Sequence, residues 1–242
     1  MSLAAGNPIE APGTDEETWR NWPELARLPA LDVSAWTSAV IVAAHPDDEV
    51  LGVGGIMSVL AAAGARLRLV SVTDGEASHP GIAEPEALAQ RRAAETAGAL
   101  RVLGAQAADV VRLRLPDAGL STREDDITAL LAEYLGGFDV CLAPWEKDVH
   151  ADHEVVGRAA RGASEHTMFY PIWMWHWARP GDPGPPWGRA VRVPLPLAVA
   201  ARKRDAIRCF ASQLENRDAS TGPVLAPGVV AHFTRGQEVL FQ

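Results

Sequence analysis

A Rossmann-like α/β fold, with a mostly parallel sheet and helices on both faces, is what this chain of 242 residues predicts. Short runs rich in Val, Ile and Leu alternate with helix-length segments from residue 38 to about 163, the pattern of a parallel sheet with crossover helices. The first of those runs, 39–44, is apolar at every position, as a strand covered on both faces must be. Hydrophobic residues make up 48% of a chain long enough for one substantial core.

Residues 1–35 are rich in proline and acidic groups with Trp19 and Trp22 interspersed, and read as an arm wrapping a single domain over 36–235. Strand one is 39–44, and a helix of small and aliphatic residues follows at 51–63. Strand two, 66–72, alternates Leu and Val with Arg. The long helix 84–103 spaces Arg92 and Glu95 for an i, i+3 pair. Strand three spans 109–115, an amphipathic helix 124–135, strand four 140–143, and a further helix 153–163. Beyond 165 the pattern becomes irregular and β-rich. Residues 168–170, 173–177 (Trp-Met-Trp-His-Trp) and 190–195 read as strands, 179–188 as a Pro/Gly loop, and 202–214 as a last helix. Residues 236–242 read either as a terminal strand or as the remnant of a tag-cleavage site.

The net charge of −9 excludes a general nucleic-acid or anionic-membrane surface, since both need a basic face. No apolar run reaches the length of a membrane span. Cys141 and Cys209 lack metal-binding spacing and read as small apolar fillers in a reducing compartment. The first thirty residues carry no apolar core of signal-peptide length, so the expectation is a cytoplasmic protein. The composition leaves a homo-oligomer open.

Chemistry concentrates at two strand tips. His45-Pro46-Asp47-Asp48-Glu49 follows strand one, and Trp145 to His153 follows strand four. Tips of parallel strands share one edge of the sheet, where open α/β folds bind ligands. Imidazole and carboxylate are ligands for zinc or iron(II), and a few of them with a position left for water describe a catalytic site. Asp152, between His150 and His153, is placed to orient one of them. His79, near the tip of strand two, is a candidate substrate contact. The cluster Gly52-Val53-Gly54-Gly55 reads as close packing of helix on strand, because the acidic partner of a dinucleotide fingerprint is missing. Alternating Trp173, Trp175 and Trp177 read as one face of a buried strand or as an apolar platform for substrate, and His176 as a polar surface residue.

These motifs resemble the LmbE-like family of zinc-dependent de-N-acetylases, which includes the PIG-L enzymes and the mycothiol and bacillithiol pathway deacetylases. The matching signatures are Ala44-His45-Pro46-Asp47-Asp48-Glu49 and His150-Ala151-Asp152-His153. They are supported by Val72-Thr73-Asp74-Gly75-Glu76, Arg92-x-x-Glu95 and Leu115-Pro116-Asp117. The resemblance covers roughly 38–165 and implies hydrolysis of an N-acetyl group from a small amino-sugar substrate. It implies His45, Asp48 and His153 as ligands of one Zn²⁺ (or Fe²⁺), Asp47 as general base and His150 as the acid that also steadies the oxyanion. It further implies Arg92 as a sugar contact. The pair Asp148-Val149 lacks a tyrosine that some members place before the equivalent of His150. A mycothiol-conjugate-type amidase and a non-catalytic, metal-holding glycoconjugate-binding module stand as alternatives.

Overall fold

The computed structural model describes residues 8–79, 81, 84–217 and 221–242. Strands β1 (Ser38–Ala43), β2 (Arg66–Thr73), β3 (Asp109–Leu115), β4 (Val140–Pro144), β5 (Thr167–Tyr170), β6 (Ala190–Pro194) and β7 (Gln237–Phe241) form one sheet. Its order is β3-β2-β1-β4-β5-β7-β6. The first five strands run parallel, and β7 is antiparallel to β5 and β6. Helices α1 (Glu16–Arg20) and α2 (Pro23–Arg27) precede the sheet. Its crossovers carry α3 (Asp48–Ala62), α4 (Pro85–Leu103), α5 (Glu124–Leu135) and α6 (Ala151–Ala163). Four more follow: α7 (Met174–Trp177), α8 (Leu197–Ile207), α9 (Ala211–Leu214) and α10 (Pro227–Ala231).

The chain leaves β1 toward β2 on one side, and β4 lies on the other, paired through Ala39↔Val140 and Ile41↔Leu142. This is the switch point where open α/β sheets form a crevice. Every residue of β1 and of β4 is buried, which accounts for their unbroken apolar sequence.

Three local expectations are corrected. Residues 173–177 form no strand: the successive N–H groups of Ile172, Trp173 and Met174 all donate to the one carboxylate of Asp148. Successive amides of a strand alternate in direction, so that convergence fits the first turn of a helix instead. The last helix divides into α8 and α9, because Glu95 takes the N–H and hydroxyl of Ser212 at 2.8 and 2.6 Å. Glu95 pairs with Arg91 and not with Arg92, which turns toward the β1 tip.

The N-terminal segment packs firmly. Trp19 is fully buried, with its indole N–H on the Trp175 carbonyl. Glu16 of α1 accepts from Arg235 and contacts His232 at 2.9 Å, while the Arg235 guanidinium lies 4.0 Å from the Trp175 ring centre. Residues 237–241 form β7, a strand inside the sheet, and its Glu238 is buried.

Candidate active site

The β1 tip turns sharply at Asp47, whose φ of 128° lies where side-chain-bearing residues are rarely found. Among the described residues only three other non-glycine positions have positive φ, and two of them, Ala118 and Val149, adjoin Asp117 and His150. Backbone strain is thus concentrated where functional side chains emerge, the pattern expected when a site dictates geometry. Glu49, fully buried, accepts the Asp47 N–H through Oε2 at 3.1 Å and so holds this turn. Burial pushes the Glu49 carboxyl up to about 8.

Behind the turn, α3 is kinked at Val53 (φ −137°, ψ 19°). Glu238 accepts from the N–H groups of Gly55 and Ile56, while Lys203 donates to Leu51 O and pairs with Glu238 at 2.6 Å. The kink is therefore satisfied by a buried ion pair between α8 and β7. The glycines permit this packing. A Cβ on Gly52 would fall 2.2 Å from the Tyr170 ring, and one on Gly55 within 2.5 Å of Leu195.

Asp48 folds back into the crevice, and α6 delivers His153 from the neighbouring tip. His45 Nδ1 lies 3.3 Å from His153 Nε2 and 3.5 Å from Asp48 Oδ2, and His153 Nε2 lies 3.3 Å from Asp48 Oδ1. Donors held at about 2.0 Å from a tetrahedral zinc ion stand roughly 3.3 Å apart, so the spacing and chemistry of this set fit a divalent cation. His150 joins the same cluster more loosely: with His45 and His153 it forms a group of nitrogens all within 4.8 Å. Its Nδ1 is buried with no hydrogen-bond partner.

The second ring nitrogens are fixed by carboxylates. His153 Nδ1 meets Asp148 Oδ2 at 2.7 Å. His45 Nε2 lies 3.2 Å from Asp117 Oδ1 and 3.3 Å from Asp152 Oδ2. Such partners set the tautomer and orientation of metal-ligating imidazoles. Asp152 thus orients His45, while His153 is held by Asp148. Neither Asp148 nor Asp117 was singled out as a site residue from sequence. Their signals were present, since Asp117 closes the Leu115-Pro116-Asp117 motif at the β3 tip and Asp148 lies five residues before His153.

The cluster is rich in negative charge. Burial disfavours the charged His153 ring, yet the Asp48 and Asp148 carboxylates outweigh it and push its pKa up to about 9. His45 is raised against burial by Asp117, Asp152 and Asp48. His150 has no such partner, and burial with the neighbouring His153 pulls it down to about 3. Burial lifts Asp47 to about 7 against the opposing pull of Arg92.

Arg92 is buried inside α4. It donates through Nη1 to Gly75 O at 2.9 Å and through Nη2 to Pro46 O at 2.5 Å, and it reaches Asp47 Oδ2 at 3.3 Å. It therefore clamps the tips of β1 and β2 together. A Cβ on Gly75 would fall 2.0 Å from Arg92 Nη1, so the clamp needs that glycine. His45, Asp47, Asp48, Arg92, Asp117, His150 and His153 all line one cavity of about 660 Å³, in the range of small-molecule sites. Trp173 and the half-exposed His176 line it as well, whereas Trp175 and Trp177 do not. His79 is not in the lining; its Nδ1 contacts Ser78 Oγ, and Ser78 faces the cavity.

Residues 40–164 match the family described as PIG-L, GlcNAc-PI de-N-acetylase. The chain belongs to this family. Over 86 residues it is 42% identical to a 1D-myo-inositol 2-acetamido-2-deoxy-alpha-D-glucopyranoside deacetylase of Kineococcus radiotolerans. That match covers 34% of this chain and only 23% of the relative's length. Among solved structures, the conserved protein TT1542 from Thermus thermophilus is 26% identical, with a TM-score of 0.54 over 73% of this chain and 79% of that one. The A40926 pseudoaglycone deacetylase Dbv21 reaches a TM-score of 0.63 at 19% identity, over 85% of this chain and 96% of that one, and so shares the α/β fold. No helix among the described residues is long and apolar enough to cross a membrane.

Proposed function

We propose that this chain is a metal-dependent hydrolase that removes the N-acetyl group of a GlcNAc-type amino sugar carried on a small glycoconjugate, working in the cytoplasm. The observation that carries the reading is the convergence of His45 Nδ1, Asp48 and His153 Nε2 to 3.3–3.5 Å at the floor of a cavity, within the family-matched region.

In this reading those three residues hold one Zn²⁺, with Fe²⁺ compatible with the same donors. The bound ion supplies Lewis acidity, which acidifies water and polarises the amide carbonyl. Asp47 is the general base. Arg92 engages its Oδ2, which leaves Oδ1 to take the proton of the attacking water. His150 protonates the departing amine and steadies the developing oxyanion, since an amide nitrogen leaves poorly without a proton. Burial keeps the unpaired ring neutral, and the negative charge that develops on the oxyanion beside it is what would favour its protonated form. Asp117 and Asp152 hold the ring of His45, and Asp148 that of His153. Arg92 fixes Asp47 and is the candidate sugar contact from the cavity wall.

Acetate release from GlcNAc-bearing glycosides, measured beside bound metal, tests the reading. Asp47→Asn keeps about one metal per chain and loses turnover by roughly 10²–10⁴-fold. His153→Ala loses the metal. Full turnover in Asp47→Asn removes the assigned base, and metal binding without acetate release from any glycoside favours a binding module instead.

A further inference from the structure

The cavity draws its chemistry from the family-matched region, but much of its outer wall comes from outside residues 40–164. Ile9 and Ala11 come from the N-terminal segment, Ile172 and Trp173 from the stretch after β5, and Val224 and Leu225 from the segment before α10. All six are apolar, as are Pro223, Ala226 and Val229 beside them, while Glu10, His176, Gln213 and Arg217 add polar groups to the same wall. The N-terminal segment is tied in place there. Thr14 N donates to His176 O at 2.8 Å, Thr14 Oγ1 to Ala178 O at 2.6 Å, and His176 Nε2 to Ala11 O at 2.9 Å. Gly13 packs so tightly on the imidazole that a Cβ would fall 2.1 Å from His176 Nδ1. Residues 9–14 are thus a strap pinned across α7.

A pyranose ring and an acetamide are polar and are matched by the polar floor. They leave the apolar wall uncovered, and burying apolar surface beside it is favourable in proportion to its area. We propose that the strap of residues 9–14, with Trp173, Val224 and Leu225, forms a second subsite that takes an apolar aglycone. The substrate is then an N-acetylamino sugar whose glycosidic group is alkyl or aryl. This rests on the function proposed above and narrows its substrate class.

Octyl and methyl glucosaminides, which carry no acetyl group, are titrated by calorimetry into the metal-loaded protein below micelle concentration, using both anomers. The expected result is octyl binding at least about tenfold tighter than methyl, a factor that two buried methylenes suffice to give. Ile9→Ser, Val224→Ser and a deletion of residues 1–12 should each reduce that advantage to within about threefold. Equal affinity for the two glycosides overturns the proposal. So does an octyl preference untouched by all three variants, which would place the alkyl chain elsewhere. Failure to release acetate from any N-acetyl glycoside overturns the function while leaving this binding comparison readable.

Discussion

Replacing Asp148 by Asn separates holding a histidine from merely neighbouring it. The Asp148 carboxylate is fully buried and accepts four hydrogen bonds: Ile172 N and Met174 N on Oδ1, Trp173 N and His153 Nδ1 on Oδ2. An asparagine has one acceptor oxygen and one donor amide, so either orientation turns a donor toward two donors. At about 1.5–3 kcal/mol for each charge-assisted bond, two lost bonds destabilise the fold by roughly 3–6 kcal/mol. His153 can relieve one clash by moving its proton to Nε2. That occupies the lone pair aimed at Asp48 and His45, so metal affinity should fall about 10–100-fold. Urea unfolding and zinc competition with a chromophoric chelator read the two effects. Zinc affinity within about twofold of the parent, in a variant that folds, would refute the claim that Asp148 sets the His153 tautomer.

Three other outcomes follow from the packing. Glu16 has its carboxyl pKa lowered from 4.5 to about 2: burial opposes ionisation, but His232 and Arg235 outweigh it. A depressed carboxylate stabilises the fold fully above the unfolded pKa and loses that contribution as pH falls from about 4.5 through about 2, on the order of 3 kcal/mol in all. The stability gap between the parent and Glu16→Gln should therefore shrink across that window, and a gap that stays constant from pH 7 to pH 2 contradicts this. Lys203→Met leaves Glu238 buried without its cation and should cost about 3–5 kcal/mol in chemical unfolding, part of which Lys203→Met/Glu238→Gln recovers. Gly157→Ala forces a Cβ to 2.5 Å from Pro144 O, a backbone atom that cannot swing away, so calorimetry should show a clear loss of thermal stability.

The parallel half of the fold was legible because its strands are apolar at every position and its helices have the length and period of crossovers. β3 and α5 fall on their sequence-predicted bounds, and the other elements from β1 to α6 within about three residues, whereas α1 and α2 lie in the segment read only as an arm. The segment after 165 was harder for a physical reason. Its conformation is dictated by distant carboxylates: Asp148 gathers the N–H groups of 172–174 at the start of α7 and Glu95 breaks α8 from α9, and local propensity carries neither signal. The two histidine–carboxylate tips could be read as neighbours from topology alone. Which carboxylate holds which imidazole depended on side-chain directions. Asp152 was expected to serve one of its flanking histidines and instead reaches across to His45. The cavity's outer wall could not be read, because Ile9, Trp173 and Leu225 meet only in three dimensions.

The proposed reaction requires His45, Asp48 and His153 to grip a single ion. Diffraction from zinc-loaded crystals, collected on both sides of the zinc absorption edge, tests this directly. One anomalous peak per chain is expected, about 2.0–2.2 Å from His45 Nδ1, His153 Nε2 and an Asp48 oxygen. A peak instead between His45 Nε2, Asp117 and Asp152, another group of donors close enough to hold a cation, or no peak in the cavity, would contradict it.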